Sequence, residues 1–194
     1  MSQLSGLLHD VRACTLCAEH LPLGPRPVVQ LHPAARLLIV GQAPGTKVHE
    51  TGIPFNDPSG DRLREWLGVD RQTFYNPAKI ALMPSGFCYP GRAPNGGDLP
   101  PRKECAPHWH HRLRPELPDI ALTLLVGQYA QALYLGRARK RTLGETVLAW
   151  RDYLPDYWPT PHPSWRVNHW LKKNSWYETD VLPALRRRVQ DILE

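Results

Sequence analysis

Residues 36–45 read RLLIVGQAPG. Four apolar residues, Leu37 to Val40, run without interruption and stop at Gly41. A short unbroken apolar run closed by a turn residue marks a strand buried on both faces, as in a parallel sheet. Three later segments repeat the signal: Ile80–Met83, Ile120–Val126 (again closed by glycine) and Tyr157–Thr160. Helical segments alternate with them. They are predicted at residues 3–20, 62–68 (RLREWLG, with Leu63, Trp66 and Leu67 at helical spacing), 106–114, 128–136 and 177–193. Strand–helix alternation predicts an α/β domain around a parallel sheet. Ligands bind beyond the carboxyl ends of such strands. Two loops with unusual chemistry leave those ends: Gly41–Gly60 and Pro161–Asn168.

The composition sets the outer bounds. With 194 residues the chain suits a single domain, 1–194. Its 42% hydrophobic content excludes wholesale disorder. No apolar run approaches the roughly 20 residues of a membrane span. The opening MSQLSGLLHDVRAC has no long apolar stretch and carries Asp10 early, so no secretory signal is expected and a cytoplasmic protein is the default. Lys and Arg number 24 against 18 Asp and Glu, a formal charge of +6, and 18 of the 24 are Arg. Arg presents a planar fork that matches phosphates and stacks on bases. The excess fits a nucleic-acid partner, and it fits a plain basic enzyme equally well. Proline, at 21 residues, is about twice its usual share.

In the first loop, Gly41 and Gly45 permit close ligand approach, and Pro44 stiffens the turn between them. GQAPG reads as a rigid cradle of backbone N–H groups, or as a tight turn with no ligand. Phe55 follows in GIPFNDPSG, either as a core plug or as a stacking platform for a planar ligand; Asn56 and Asp57 beside it tilt the reading towards the platform. In the second loop, PHPSWRVN, two prolines flank His162 and hold its orientation nearly fixed. That suits a histidine aimed at a developing charge, and also a structural histidine. Ser164, Arg166 and Asn168 add donors for a phosphate backbone. Of Trp165, Trp170 and Trp176, at least two are expected in the core; a tryptophan left outside it would wedge or stack against bases.

Four cysteines stand as a CxxC pair, Cys14 and Cys17, and as Cys88 and Cys105 at the ends of a proline-rich loop. In a cytosolic-looking chain they suggest metal ligation more than disulfides. Thiolate-only ligation fits a 4Fe-4S cluster or Zn²⁺, and spacing alone does not separate the two; four unpaired thiols are the plainer reading. His108, His110 and His111 follow closely and read as helix-surface or DNA-facing residues.

Taken in order, CTLC at 14–17, LLIVGQAPG at 37–45, TGIPFNDPSGDRL at 51–63, Cys88 and Cys105, LLVGQYAQALYLG at 124–136 and PHPS at 161–164 resemble the uracil-DNA glycosylase superfamily. The pattern is closest to its iron–sulfur-containing family-four type, over residues 10–190. The resemblance implies a three-layer α/β/α sandwich with a short, mainly parallel four-stranded central sheet, and a monomer. It implies a DNA repair enzyme that flips a damaged base out of single- or double-stranded DNA and hydrolyses its N-glycosidic bond. By motif position, His162 would hydrogen-bond the leaving base, Phe55 would stack on it, and Gly41 and Ala43 would line the base pocket. Ser164 and its neighbours would clamp phosphates. The resemblance also favours the 4Fe-4S cluster over zinc, on Cys14, Cys17, Cys88 and Cys105, pinning the N-terminal helix to the long loop.

Two positions depart from the superfamily pattern. Gln42 stands where Glu is usual, and a neutral amide orients water but is no strong base. After the second strand, ALMPSGFC carries no Asn to read the base edge, leaving Ser85 as a weak substitute. Asp57 is the first choice for a replacement carboxylate, with Glu50, Asp61 and His49 behind it. Two other readings stay open: a lesion-binding protein of the same fold without excision, and a nucleotide-binding α/β protein with phosphate at the GQAPG cradle.

Overall fold

The computed structural model describes residues 3–94 and 96–194. Four strands, β1 (Leu37–Val40), β2 (Ile80–Leu82), β3 (Leu122–Val126) and β4 (Tyr157–Thr160), form one sheet in the order β2-β1-β3-β4, every pair parallel. Nine α-helices surround it among the described residues: α1 (Gln3–Arg12), α2 (Thr46–Thr51), α3 (Pro58–Leu67), α4 (Arg71–Phe74), α5 (Cys105–Leu113), α6 (Gln128–Leu135), α7 (Leu143–Leu148), α8 (Val167–Lys173) and α9 (Leu182–Leu193). The parallel sheet anticipated from the apolar runs is the one observed.

The layering follows from the period of two along a strand. Leu37 and Ile39 of β1 enter a core with Leu63, Trp66 and Leu67 of α3, Val147 of α7, and Leu185 and Val189 of α9. Leu38 and Val40 point the other way, into a core with Val11 of α1, Trp109 and Leu113 of α5, and Ala130 of α6. All four β1 residues are fully buried, so both faces of the sheet are covered and the architecture is a three-layer sandwich. On the first face Trp150 and Trp158 stack with centroids 3.9 Å apart. β1 connects to β2 on one side and the chain then crosses to β3 on the other. Gly41, Pro84, Gly127 and His162 follow the four strands closely, at the edge where a reversal of strand order opens a crevice.

Several boundaries differ from the sequence expectation. The predicted helix 3–20 stops at Arg12, because its buried positions end at Val11 and residues 12–16 have no apolar stripe to bury. Cys14 and Cys17 therefore lie in the connection to a short 3-10 turn, Ala18–His20, and not on a helix. The loop after Gly41 contains α2, closed at Gly52. The helix expected from Arg62 begins at Pro58, since Asp57 accepts a hydrogen bond from the Gly60 N–H at 2.8 Å and proline suits the first helical position. Helix α7 was not anticipated, although Thr142 and Glu145 form a reciprocal capping box at its start. Among the described residues no helix is long and apolar enough to cross a membrane.

Leu38, at the centre of the sheet with no exposure, tests the two-faced burial. Leu38→Ala is expected to lower unfolding free energy by about 2–5 kcal/mol, read by urea denaturation. A loss under 1 kcal/mol would contradict the packing described.

Candidate active site

A pocket of about 720 Å³ opens at the carboxyl edge of the sheet. Most of its wall comes from three segments distant in sequence. The first loop contributes Gly41 to Thr46, Phe55 and Asp57; the second contributes His162, Ser164, Trp165 and Arg166; and the loop between Cys88 and Cys105 contributes Arg92, Gly96, Gly97 and Asp98.

Phe55 is the most constrained of these residues. It is the one non-glycine residue with positive φ (53°) among those described. A bulky side chain in the left-handed region costs on the order of 1–3 kcal/mol, tolerated only where the surroundings fix it. Here they do. The Tyr75 hydroxyl donates to the Pro54 carbonyl at 3.0 Å, and Arg71 donates to the Asn56 side chain at 3.1 Å. The Phe55 ring meets Phe74 edge-on at 6.1 Å, and its tip lies over Gly41. The Phe55 carbonyl would stand 1.8 Å from a Cβ at residue 60, so Gly60 is required by contact. The ring thus packs against the core on one side, as a core plug does, and walls the pocket on the other.

His162 is seated with equal economy of space. A Cβ at Gly127, whose φ is +83°, would lie 3.2 Å from the His162 Cβ. The Arg62 guanidinium donates to the Ser164 carbonyl at 2.9 Å and ties α3 to the loop. Burial lowers the His162 pKa, and the Asp57 carboxylate pulls it the other way. The imidazole is therefore neutral at pH 7 and offers one N–H to a ligand.

Gln42 and Ala43 line the pocket, and the Gln42 amide donates to the Leu99 carbonyl at 3.1 Å. Ser164 and Arg166 line it as well. Ser85 does not: its hydroxyl and its N–H both donate to the Gly41 carbonyl, at 2.8 and 2.9 Å, satisfying an acceptor left in a dry interior where β1 ends. Asn168 is exposed in the first turn of α8, outside the pocket. The alternative carboxylates and base also lie elsewhere. Glu50 is exposed, Asp61 is ion-paired with Arg64, and His49 is buried against Tyr89. Trp170 and Trp176 pack against the core, whereas Trp165 is 75% exposed at the pocket. Sequence reasoning missed Asp98 and Arg92, which sit in a proline-rich stretch with no periodicity; the Gly96-Gly97 turn beside them was the available signal.

The histidines after Cys105 divide. His110 is buried, not surface or DNA-facing. Its Nε2 lies 3.0 Å from the Pro84 carbonyl, which can only accept, so Nε2 carries the proton and Nδ1 accepts from the Tyr134 hydroxyl at 3.0 Å. Pro84 lines the pocket, so this chain of bonds supports the pocket wall.

The four cysteines are unpaired and line one small cavity with Leu16, Leu21, Phe87 and Trp109. The Phe87 N–H donates to the Cys105 sulfur at 3.3 Å. Burial pushes the Cys88 thiol up to about 11 and Cys105 up to about 12, and the neighbouring thiols add to both shifts. Thiolates in this cavity therefore need a compensating cation. Among the described residues no three His, Cys, Asp or Glu side chains form a group that could hold a single metal ion. The cysteines line one shared space.

The fold and pocket define an α/β protein with a pocket at the switch point of a parallel sheet, walled by an aromatic ring and a closely packed histidine. The model of the uracil DNA glycosylase superfamily matches residues 29–186, most of the chain, and the protein belongs to that superfamily.

His110 carries a pH consequence. Burial lowers its pKa from 6.5 to about 4, so the unfolded chain binds a proton over that interval that the native protein does not. Stability therefore falls as pH drops from about 6.5 to about 4, by up to about 3 kcal/mol. In His110→Gln the difference in unfolding free energy between pH 7 and pH 4 is expected to shrink by a similar amount. An unchanged difference would remove His110 from the acid sensitivity.

Proposed function

We propose that the protein is a DNA N-glycosylase that extrudes a damaged base from DNA and releases it by hydrolysis of the N-glycosidic bond. The observation that carries this reading is the neutral His162, fixed against Gly127 and turned to the same pocket as Phe55 and the Gly41–Gly45 cradle. A planar base stacks on Phe55, while backbone groups of the cradle and Ala43 bound its edge. As the bond breaks, negative charge develops on the departing base, and the His162 N–H stabilises it by a hydrogen bond. Ser164 and Arg166 at the mouth suit phosphates on either side of the flipped nucleotide. Uracil is the reference substrate. With no side-chain amide after β2 to read its edge, related deaminated or damaged bases belong in the same class.

The reading extends to the cysteines. A polynuclear cluster needs thiolates spread around a cavity, whereas zinc needs them within about 2.3 Å of one point. The shared apolar cavity fits the first demand, so Cys14, Cys17, Cys88 and Cys105 would hold a 4Fe-4S cluster. Its positive iron core would offset the buried thiolates. Its role is structural: it joins the segment after α1 to both ends of the loop that carries Asp98.

The test is abasic-site formation in oligonucleotides bearing uracil, hypoxanthine, xanthine and other damaged bases, single- and double-stranded. Release of at least one base is expected, with His162→Ala slowing it by about 10²–10³-fold and Phe55→Ala weakening substrate binding by about 1–3 kcal/mol. DNA binding without abasic sites would instead mark a lesion-binding protein, and affinity for free nucleotides alone a nucleotide-binding one. For the cysteines, anaerobically purified protein is expected to be brown with about four irons per chain, and a colourless protein with stoichiometric zinc would overturn the cluster.

A further inference from the structure

Hydrolysis of a glycosidic bond needs a group that takes a proton from the attacking water, and neither His162 nor Gln42 is suited to it. His162 is committed to the leaving base. The Gln42 amide has no basic lone pair, and its N–H is engaged by the Leu99 carbonyl. Two carboxylates line the pocket, Asp57 and Asp98. Asp57 is occupied as the cap of α3, accepting the Gly60 N–H at 2.8 Å. The Asp98 carboxylate accepts no hydrogen bond and makes no ion pair within 4 Å among the described residues.

Its position is nonetheless fixed. The residue after it is held to the first loop by the Gln42 amide and to Gly91 by the Leu99 N–H at 2.8 Å. Asp98 itself pairs across an isolated bridge with Arg92. Its Oδ2 reaches the GQAPG cradle, 3.3 Å from where a Cβ on Gly45 would stand, so glycine there leaves room for the carboxylate.

We propose, on the glycosylase reading above, that Asp98 is the catalytic base of this protein. Its carboxylate accepts a proton from the water whose oxygen bonds to C1′ of the flipped nucleotide. The C1′–N bond breaks and its electron pair leaves with the base, held by the His162 N–H. The proton on Asp98 then passes to the released base or to solvent. One water is consumed, and a free base and an abasic sugar result. The Gln42 amide is a positioning residue for this carboxylate. Asp98 is exposed; partial desolvation raises its pKa, as does the facing Asp57, and the facing Arg92 and Arg166 lower it. The net shift is upward, which makes the carboxylate a stronger proton acceptor.

The experiment compares wild type with Asp98→Asn, Asp57→Asn and Gln42→Ala in single-turnover base release from pH 4.5 to 8, alongside affinity for an oligonucleotide with the base linked through an uncleavable bond. Asp98→Asn is expected to slow release about 100-fold or more with affinity changed less than about threefold, and to abolish the acid limb of the rate profile. Gln42→Ala is expected to lower the rate partially and shift that limb. Thermal midpoints monitor folding, and Asp98→Glu, which keeps the carboxylate, is expected to recover part of the rate and the limb. Wild-type rates in Asp98→Asn, or loss of the limb in Asp57→Asn while Asp98→Asn keeps it, overturn the assignment alone. A wild type that releases no base from any substrate overturns the glycosylase reading, and this assignment with it.

Discussion

The contact on which the pocket depends is the seat of Phe55. Its backbone is held in the left-handed region, its carbonyl is pressed into the space above Gly60, and its ring tip lies over Gly41. Gly41 ends β1 and Gly60 opens α3, so one strained residue sets the distance between the central strand and the helix that covers it. The strain is offset by the loop's own bonds, from Tyr75 to Pro54 and from Arg71 to Asn56, and by the Phe55–Phe74 contact in the core. An aromatic wall in this position moves little, because moving it requires the first turn of α3 to move too.

The opposite wall is built on other terms. The loop from Cys88 to Cys105 has little regular structure among its described residues. What positions it is a handful of discrete contacts: Gln42 to Leu99, Gly86 against Pro101, and the Arg166 guanidinium laid over Gly97. Its two ends are cysteines facing one cavity with Cys14 and Cys17. One wall of the pocket is thus held by core packing and the other by polar tethers, with the cysteine cavity at its ends.

Much of this was legible in the sequence, and the boundary is instructive. The strands declared themselves because burial on both faces removes polar residues, leaving LLIV and IALTLLV unbroken. His162, Phe55 and the cradle were legible because glycine and proline leave a strong local imprint on the backbone. Ser85 was misplaced because sequence shows that a hydroxyl is present but not which carbonyl claims it. The break after Arg12 was missed because the segment's helical propensity was unexceptional; the absence of a surface to bury it against decided its end. Asp98 was invisible for a third reason. Its placement depends on contacts with residues 45 and 42, more than fifty positions away, and nothing local marks them.

The charge acquires a sharper meaning at the pocket than the overall +6 conveyed. Arg92 and Arg166 line the pocket beside Asp57 and Asp98; Arg92, Arg166 and Asp98 are exposed and Asp57 is half-buried. A polyanion approaching this edge meets the cations first. On the proposed reading those cations hold the phosphates, while a neutral base passes inward. Carboxylates among the cations would be a liability in a site that bound phosphate deeply, as a nucleotide pocket does. In a site that admits only an uncharged base, as proposed, they oppose no bound charge, and a carboxylate is available to take a proton.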